Sequence, residues 1–254
     1  MGRIALGESL ERPVKVPILM YHNVARAPKD AAVYRSLYVS PGAFARQMGL
    51  LRVLGYRGVS MSDAMPYLRG EKQGRVAVIT LDDGYVDNLE SALSALHRYG
   101  FTATCYVVSG RIGQYNVWDA EKLGVRKPLM TVEQLRAWHG AGMEVGAHTR
   151  THVRLSQCDD QQQQDEIRGS KDELEDRLGV PVTQFCYPYG DHDARAVEVA
   201  RKAGYAAATT TRRGRAQAGP DIDLWRLPRI QVARHHVLPQ VAAKVITGYE
   251  DQRS

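Results

Sequence analysis

Two carboxylates stand side by side in "TLDDGY" (80–85), directly after the apolar run "VAVI". Adjacent Asp82 and Asp83 repel each other, and both lose hydration if enclosed. Either the pair is a solvated turn, or a cation and a proton give the two acids separate roles. A second polar cluster ends another apolar stretch, "MEVGAHTRTH" (143–152), with His148 and His152 four residues apart. If the chain turns helical after His148, both imidazoles project on one side, a spacing that suits two ligands of one divalent metal. A carboxylate from a neighbouring strand end would complete a set of two histidines and one aspartate, with positions left open for water and substrate. One acid then binds the cation and the other stays free as a base, its ionised form favoured by the metal's charge.

These residues need elements to bring them together. Strand patterns recur at 17–22, 76–81, 102–108, 143–148, 183–189, 206–211 and 227–232. Helical patterns run between them. One follows Ser40, a good N-cap, and stops at Gly55; others stop at Gly100 and Gly179, and one starts at a Thr131 cap. The βαβα order implies parallel strands with helices outside. About seven strands in one α/β domain point to a closed or nearly closed (β/α) barrel, whose active sites collect at the C-terminal strand ends. The stretches 111–130 and 212–223 read as long loops of the kind that carry function.

Bulk composition limits the alternatives. The chain has 254 residues, 44% hydrophobic and 24% charged, as in an ordinary soluble globular protein. Lys+Arg exceed Asp+Glu by 34 − 28 = 6. A basic balance favours anionic partners such as acidic glycans, although dispersed surface arginine is the preferred reading. No basic block carries interleaved aromatics, so no nucleic-acid partner is expected. Cys105, Cys158 and Cys186 have no CxxC spacing, which argues against a disulfide framework or zinc knuckle; Cys105 and Cys186 read as small core residues. No apolar run reaches transmembrane length, and the N-terminus lacks a secretory pattern. The chain as given therefore reads as cytoplasmic, or as periplasmic or extracellular if a leader has been trimmed away. No Gly-x-Ser-x-Gly occurs, which disfavours a serine esterase.

"TLDDG", "HTRTH" and "YPYG" resemble, in order, the three leading motifs of the polysaccharide deacetylase family (carbohydrate esterase family 4, the NodB-homology domain). Each alone is weak; three in order, each at an expected strand end, are specific. The resemblance covers roughly residues 15–232 and implies a single NodB-like domain, 1–254, with a distorted (β/α) barrel. It implies Asp83, His148 and His152 as ligands of one divalent metal, Zn²⁺ first, with Co²⁺, Ni²⁺ or Fe²⁺ as alternatives. It implies Asp82 as the base that takes a proton from the attacking water, and the Tyr189 backbone N–H as a donor to the oxyanion. The implied partner is an N-acetylated glycan, and the implied reaction is removal of its acetyl groups.

The chain also departs from the family pattern. Most members carry an arginine just before the motif matched by "YPYG" and a late Leu-x-His for the acid. This chain has "TQFCYPYG" and "ARHHVLPQ" instead. "ILMYHNV" places His22 at the end of the first strand, which neighbours the last strand in a closed barrel. The order, "YHNV" early and "LPRI" late, resembles the permuted poly-β-1,6-N-acetylglucosamine deacetylase branch. His22 is then the general acid, and Arg229 supplies the cation near Asp82. The rival readings are a core histidine for His22 and a structural ion-pair partner for Arg229. Tyr187 and Pro188 are candidates for substrate contact but chiefly shape backbone. Trp118 and Trp225 could stack on sugar faces or simply pack. His235 and His236 are expected to face solvent at a helix start. Two other functions stay open: a metal-dependent amidase for a small non-glycan amide, and a non-catalytic glycan-binding module.

Overall fold

The computed structural model describes residues 14–29 and 33–252. Residues 1–13, which carry the start of the chain, lie outside the described residues. Seven strands form the core: β1 (Ile18–Tyr21), β2 (Val76–Leu81), β3 (Thr104–Val107), β4 (Glu144–Ala147), β5 (Gln184–Cys186), β6 (Ala207–Arg213) and β7 (Leu227–Gln231). Each coincides with a strand expected from the sequence. All are parallel to their neighbours, and β1 pairs with both β2 and β7, so the sheet closes into a distorted (β/α) barrel. All seven C-terminal ends therefore share one rim.

Side-chain alternation sorts each strand into two layers. Ile18, Val76, Val78, Tyr106, Cys186, Ala207 and Leu227 pack in one apolar cluster inside the barrel. Their neighbours Leu19, Ala77, Ile79, Cys105, Phe185, Ala208 and Ile230 pack outward against the helices. Continuing the inward parity, every second residue, reaches His22 from Ile18 and Asp82 from Val78. It reaches Arg229 from Leu227, and His148 from Gly146 beside the Tyr106 ring. The period of the strands thus directs all four polar side chains toward the barrel axis.

The helices of seven residues or more are α1 (Pro41–Val53), α2 (Met61–Leu68), α3 (Leu93–Tyr99), α4 (Val132–Gly140), α5 (Asp160–Leu178), α6 (Ala194–Lys202) and α7 (Leu238–Ile246). The Ser40 hydroxyl accepts from the Ala43 amide at the start of α1, and Thr131 and Asp159 form capping boxes on α4 and α5. A short strand, Arg57–Val59, and α2 were not legible, because the strand has three residues and α2 contains Pro66. Both matter to the site. α2 closes the N-terminal end of the barrel: Met61 N–H donates to Thr104 Oγ1 (2.8 Å), and Ser62 N–H donates to the Glu144 carboxylate (3.2 Å). Burial raises the Glu144 carboxyl above its ordinary range, and its bonds to Ser62 and Thr104 oppose this. With that end sealed, the opposite rim is the open one. Among the described residues no helix is long and apolar enough to cross a membrane.

Gly146 shows how tightly the interior is filled. A Cβ there would lie 2.6 Å from the Tyr106 ring and 3.0 Å from the Gln184 carbonyl oxygen. Gly146→Ala is expected to cost about 1–3 kcal/mol by overpacking. Urea titration would read this as a lower midpoint with an unchanged slope; an unchanged midpoint would mean that Tyr106 moves aside freely.

Candidate active site

The "DDG" turn resolves the paradox of adjacent acids through its backbone. Asp83 has φ 80° and Gly84 has φ 80°, so the chain reverses direction between the two carboxylates. Aspartate tolerates the left-handed region better than most residues, and glycine adopts it freely. Asp82 stays on the inward parity of β2, and Asp83 turns toward the tip of β4. There Asp83 Oδ1 lies 3.5 Å from His148 Nε2 and 3.3 Å from His152 Nε2, with all three side chains buried.

The two histidines are not joined by a helical turn, which corrects the expectation for residues 148–152. Thr149 (φ 61°) and His152 (φ 63°) are both left-handed, and no helix spans them. The loop is held from outside instead. Glu166, on α5, accepts from the Arg150 amide (2.8 Å), the Thr151 amide (2.9 Å) and the Thr151 hydroxyl (2.5 Å). His152 N–H donates to Thr149 Oγ1 (3.0 Å). The imidazoles meet edge to face with centroids 4.9 Å apart.

Does this donor set fit a cation? His148 Nδ1 lies 2.7 Å from the Cys186 carbonyl oxygen, which fixes the proton there and leaves Nε2 with a lone pair. That lone pair faces a carboxylate oxygen, an acceptor against an acceptor. One donor atom each from Asp83, His148 and His152 lie within 4.8 Å of one another. Neighbouring ligands at 3.3–3.5 Å suit bonds of about 2.0–2.2 Å to a shared ion. The set therefore fits one divalent metal. Burial raises the Asp83 carboxyl, but contact with the His152 imidazole outweighs it and holds the group well below the ordinary range.

Asp82 has a different environment. Arg229 Nη1 donates to Asp82 Oδ1 at 2.7 Å and Nη2 donates to Oδ2 at 2.8 Å, both residues being buried. Burial raises the Asp82 carboxyl, and the guanidinium reverses the shift to a net lowering. Cys186 directly precedes "YPYG" at the end of β5, and Arg229 Nη2 lies 3.1 Å from its sulfur. The guanidinium thus reaches Asp82 from β7 rather than from β5. His22 Nε2 lies 3.9 Å from Asp82 Oδ2, at the tip of β1. Burial pulls the His22 imidazole toward neutrality, against the opposing charges of Asp82 and Asp83.

These residues line one cleft of about 190 Å³ with Trp118, Asp119, Tyr187 and Tyr189. Tyr189 is left-handed (φ 60°). Its ring meets the His152 edge at 4.7 Å, and Trp118 stacks on the same imidazole at 4.5 Å. Tyr187 reaches the cleft but is fully buried against Phe185 and His192. Pro188 and Trp225 are not among the residues that line this cleft. Pro188 is buried in the turn, and Trp225 packs partly against the core beneath Arg201. His235 is exposed, but His236 is half-buried, accepts from the Ala233 amide (2.9 Å), and is drawn down to about 4, chiefly by burial. Sequence reasoning missed Tyr34, Asp119 and Arg154, which also line the cleft. The Asp119 carboxyl is pushed up to about 6 by burial and by the charge of Asp83. Its signal was the long loop 111–130, legible as a segment but not by residue.

A closed barrel with a carboxylate and two imidazoles at its open rim, and a second carboxylate beside them, defines a hydrolase-type metal site. The family model described as Polysaccharide deacetylase matches residues 69–208, more than half of the chain. YxkH of Bacillus subtilis (strain 168), named for this family, is 30% identical over 225 residues, covering 88% of this chain and 73% of that protein. The chain belongs to the polysaccharide deacetylase family and is an enzyme of that metal-dependent class. The Streptococcus pyogenes deacetylase PplD, solved in complex with acetate, superposes with a TM-score of 0.78 at 26% identity over 92% of this chain and 99% of that one. The poly-β-1,6-N-acetyl-D-glucosamine N-deacetylase of Escherichia coli (strain K12) is 24% identical over 91% of this chain, which spans 38% of that protein.

Glu166 touches none of Asp83, His148 and His152, yet it sets the loop that carries the two histidines. Glu166→Ala should weaken metal binding by about 10–100-fold, as read by calorimetric titration. Glu166→Gln, which keeps one acceptor oxygen, should recover part of the loss. Unchanged affinity in Glu166→Ala would show that the left-handed loop holds its own shape.

Proposed function

We propose that the chain hydrolyses N-acetyl groups of an amino-sugar polysaccharide or oligosaccharide, with Asp83, His148 and His152 holding Zn²⁺. The single observation that carries this reading is the division between the two acids: Asp83 faces two imidazoles, and Asp82 faces Arg229 and His22. When bound, the cation supplies Lewis-acid polarisation of the acetamido carbonyl and of water. Asp82 accepts the proton of the attacking water at a carboxylate oxygen. Arg229 holds both oxygens of that carboxylate, so its orientation is set before substrate arrives. The Tyr189 amide donates to the oxygen on which negative charge develops. His22 delivers a proton from Nε2 to the amine nitrogen as the C–N bond breaks. His22 Nε2 lies 3.9 Å from Asp82 Oδ2, beyond direct hydrogen-bond reach, so the proton taken by Asp82 returns to His22 through a bridging water. The order of parts, His22 early and Arg229 late, supports membership of the poly-β-1,6-N-acetylglucosamine deacetylase branch, as does the likeness to the E. coli enzyme.

Acetate release from N-acetylglucosamine oligomers tests the reading directly. Chelation should abolish it and Zn²⁺ should restore it; full turnover in rigorously metal-free protein would remove the ligand assignment. Asp82→Asn should retain the metal and lose turnover, whereas Asp83→Asn should lose much of the metal affinity.

An amine leaves poorly unless protonated, whereas an acidic phenol needs little help. His22→Ala should therefore cut deacetylation of the amide by at least ~10²-fold and spare activated aryl acetates far more, with metal content unchanged. Equal losses on both substrates would deny His22 the acid role.

A further inference from the structure

A second cavity opens on the same rim, beside His22. Its volume is about 670 Å³, against about 190 Å³ for the cleft. Arg26, Lys29, Arg35, Arg46 and Arg234 line it, and no carboxylate does among the described residues. None of the five has an acidic partner among those residues, in contrast to Arg213, Arg215 and Arg229, each of which is paired. Arg35 donates to the Pro28 and Lys29 carbonyl oxygens, which shapes the cavity edge without neutralising the charge. Two helices also begin at its wall. Ser40 and Ala43 come from the start of α1, and Val237 and Leu238 from the start of α7. Val237 has no side-chain acceptor for the first turn of α7. Helix N-termini add partial positive charge to the same space.

The wall between cavity and cleft is one short segment. Tyr34 and Leu37 line the cleft, while Arg35 and Tyr38 line the cavity. This segment is tied to the chain just after His22: Asn23 N–H donates to the Leu37 carbonyl (3.2 Å), and Val39 N–H to the Asn23 carbonyl (2.9 Å). Arg234 N–H donates to Ser36 from the other side (2.9 Å). A glycan seated with its acetamido group at Asp82 can therefore run past His22 over a fixed ridge into the cationic space.

Uncompensated guanidinium groups around a cavity recognise oxyanions, phosphate and carboxylate above all. We infer that this cavity is a substrate subsite for an oxyanion, a phosphate or a uronic carboxylate, carried on the glycan a sugar or two from the N-acetyl group that is removed. The inference rests on the deacetylase reading and narrows its substrate to anionic glycans.

The test compares three substrates: a neutral N-acetylglucosamine trimer, the same trimer carrying a terminal phosphate, and one carrying a terminal uronate. The kcat/KM for at least one anionic trimer should exceed that of the neutral one by about tenfold or more, mainly through KM. The preferred anion identifies the source of the charge. In Arg46→Glu/Arg234→Glu the preference should fall to about twofold or less, with Arg46→Gln/Arg234→Gln intermediate. Arg69→Glu/Arg98→Glu, the same double charge reversal away from the cavity, should leave the preference intact. Calorimetric binding of inorganic pyrophosphate should follow the same order among the variants. Deacetylation of all three trimers at equal efficiency, or a preference indifferent to the Arg46 and Arg234 variants, would overturn the subsite and leave the deacetylase reading standing. No acetate from any trimer, with pyrophosphate still bound and lost in the charge-reversed variant, would overturn the reaction and keep the anion site.

Discussion

The contact on which the site depends is the buried pair of Asp82 and Arg229. A guanidinium out of water needs a partner for each of its five N–H groups, and a carboxylate out of water needs compensating charge. Both conditions are met. Arg229 Nε donates to the Thr210 carbonyl, Nη1 to Thr80 Oγ1 and Asp82 Oδ1, and Nη2 to Asp82 Oδ2 and the Cys186 sulfur. The pair thereby ties β2, β5, β6 and β7 together at the rim. Removing one partner of such a pair typically costs about 3–5 kcal/mol, more than a well-packed apolar replacement of both would. The arrangement thus favours a fixed, ionised carboxylate over maximal stability.

Regular backbone carries the inward-facing groups, and irregular backbone carries the rest. His22, Asp82, His148 and Arg229 follow from strand parity. Asp83, His152 and Tyr189 each adopt positive φ just beyond a strand end, as does Thr149 between the two histidines. Such residues cost about 1–3 kcal/mol each and persist when their surroundings over-determine them. Here the surroundings are visible: Glu166 clamps the β4 loop, and the Thr211 hydroxyl donates to the Tyr189 carbonyl (3.1 Å). The strain turns side chains that alternation alone would send to opposite faces toward one point.

This division explains what the sequence disclosed. The seven strands were legible because each is an apolar run bounded by turns, and their parity is a local property. The helices with Ser40 and Thr131 at their starts were legible through capping chemistry, and the one after Asp159 through its stop at Gly179. The convergence of His148 and His152 was legible only as a spacing. The helical turn that seemed to explain it is replaced by a loop whose shape is fixed by Glu166, fourteen residues after His152. Asp119 and Arg154 lie in segments without periodicity, so nothing local marked them as cleft residues. The barrel floor made by α2 was hidden because Pro66 interrupts the helical pattern that buries Met61, Ala64 and Leu68.

The distribution of charge follows from the same architecture. In the cleft Asp82, Asp83 and Asp119 are met by Arg229, Arg154 and Lys122, whereas the charged residues lining the cavity beyond the ridge are cations alone among the described residues. The ridge at 34–38 separates the two by placing Tyr34 on the cleft side and Arg35 on the cavity side of a single turn. The net excess of six cationic residues is thus not evenly spread: part of it gathers here, without an acidic partner among the described residues. A substrate with its charge at one end would thus meet cations alone on one side of the ridge and mixed charge on the other.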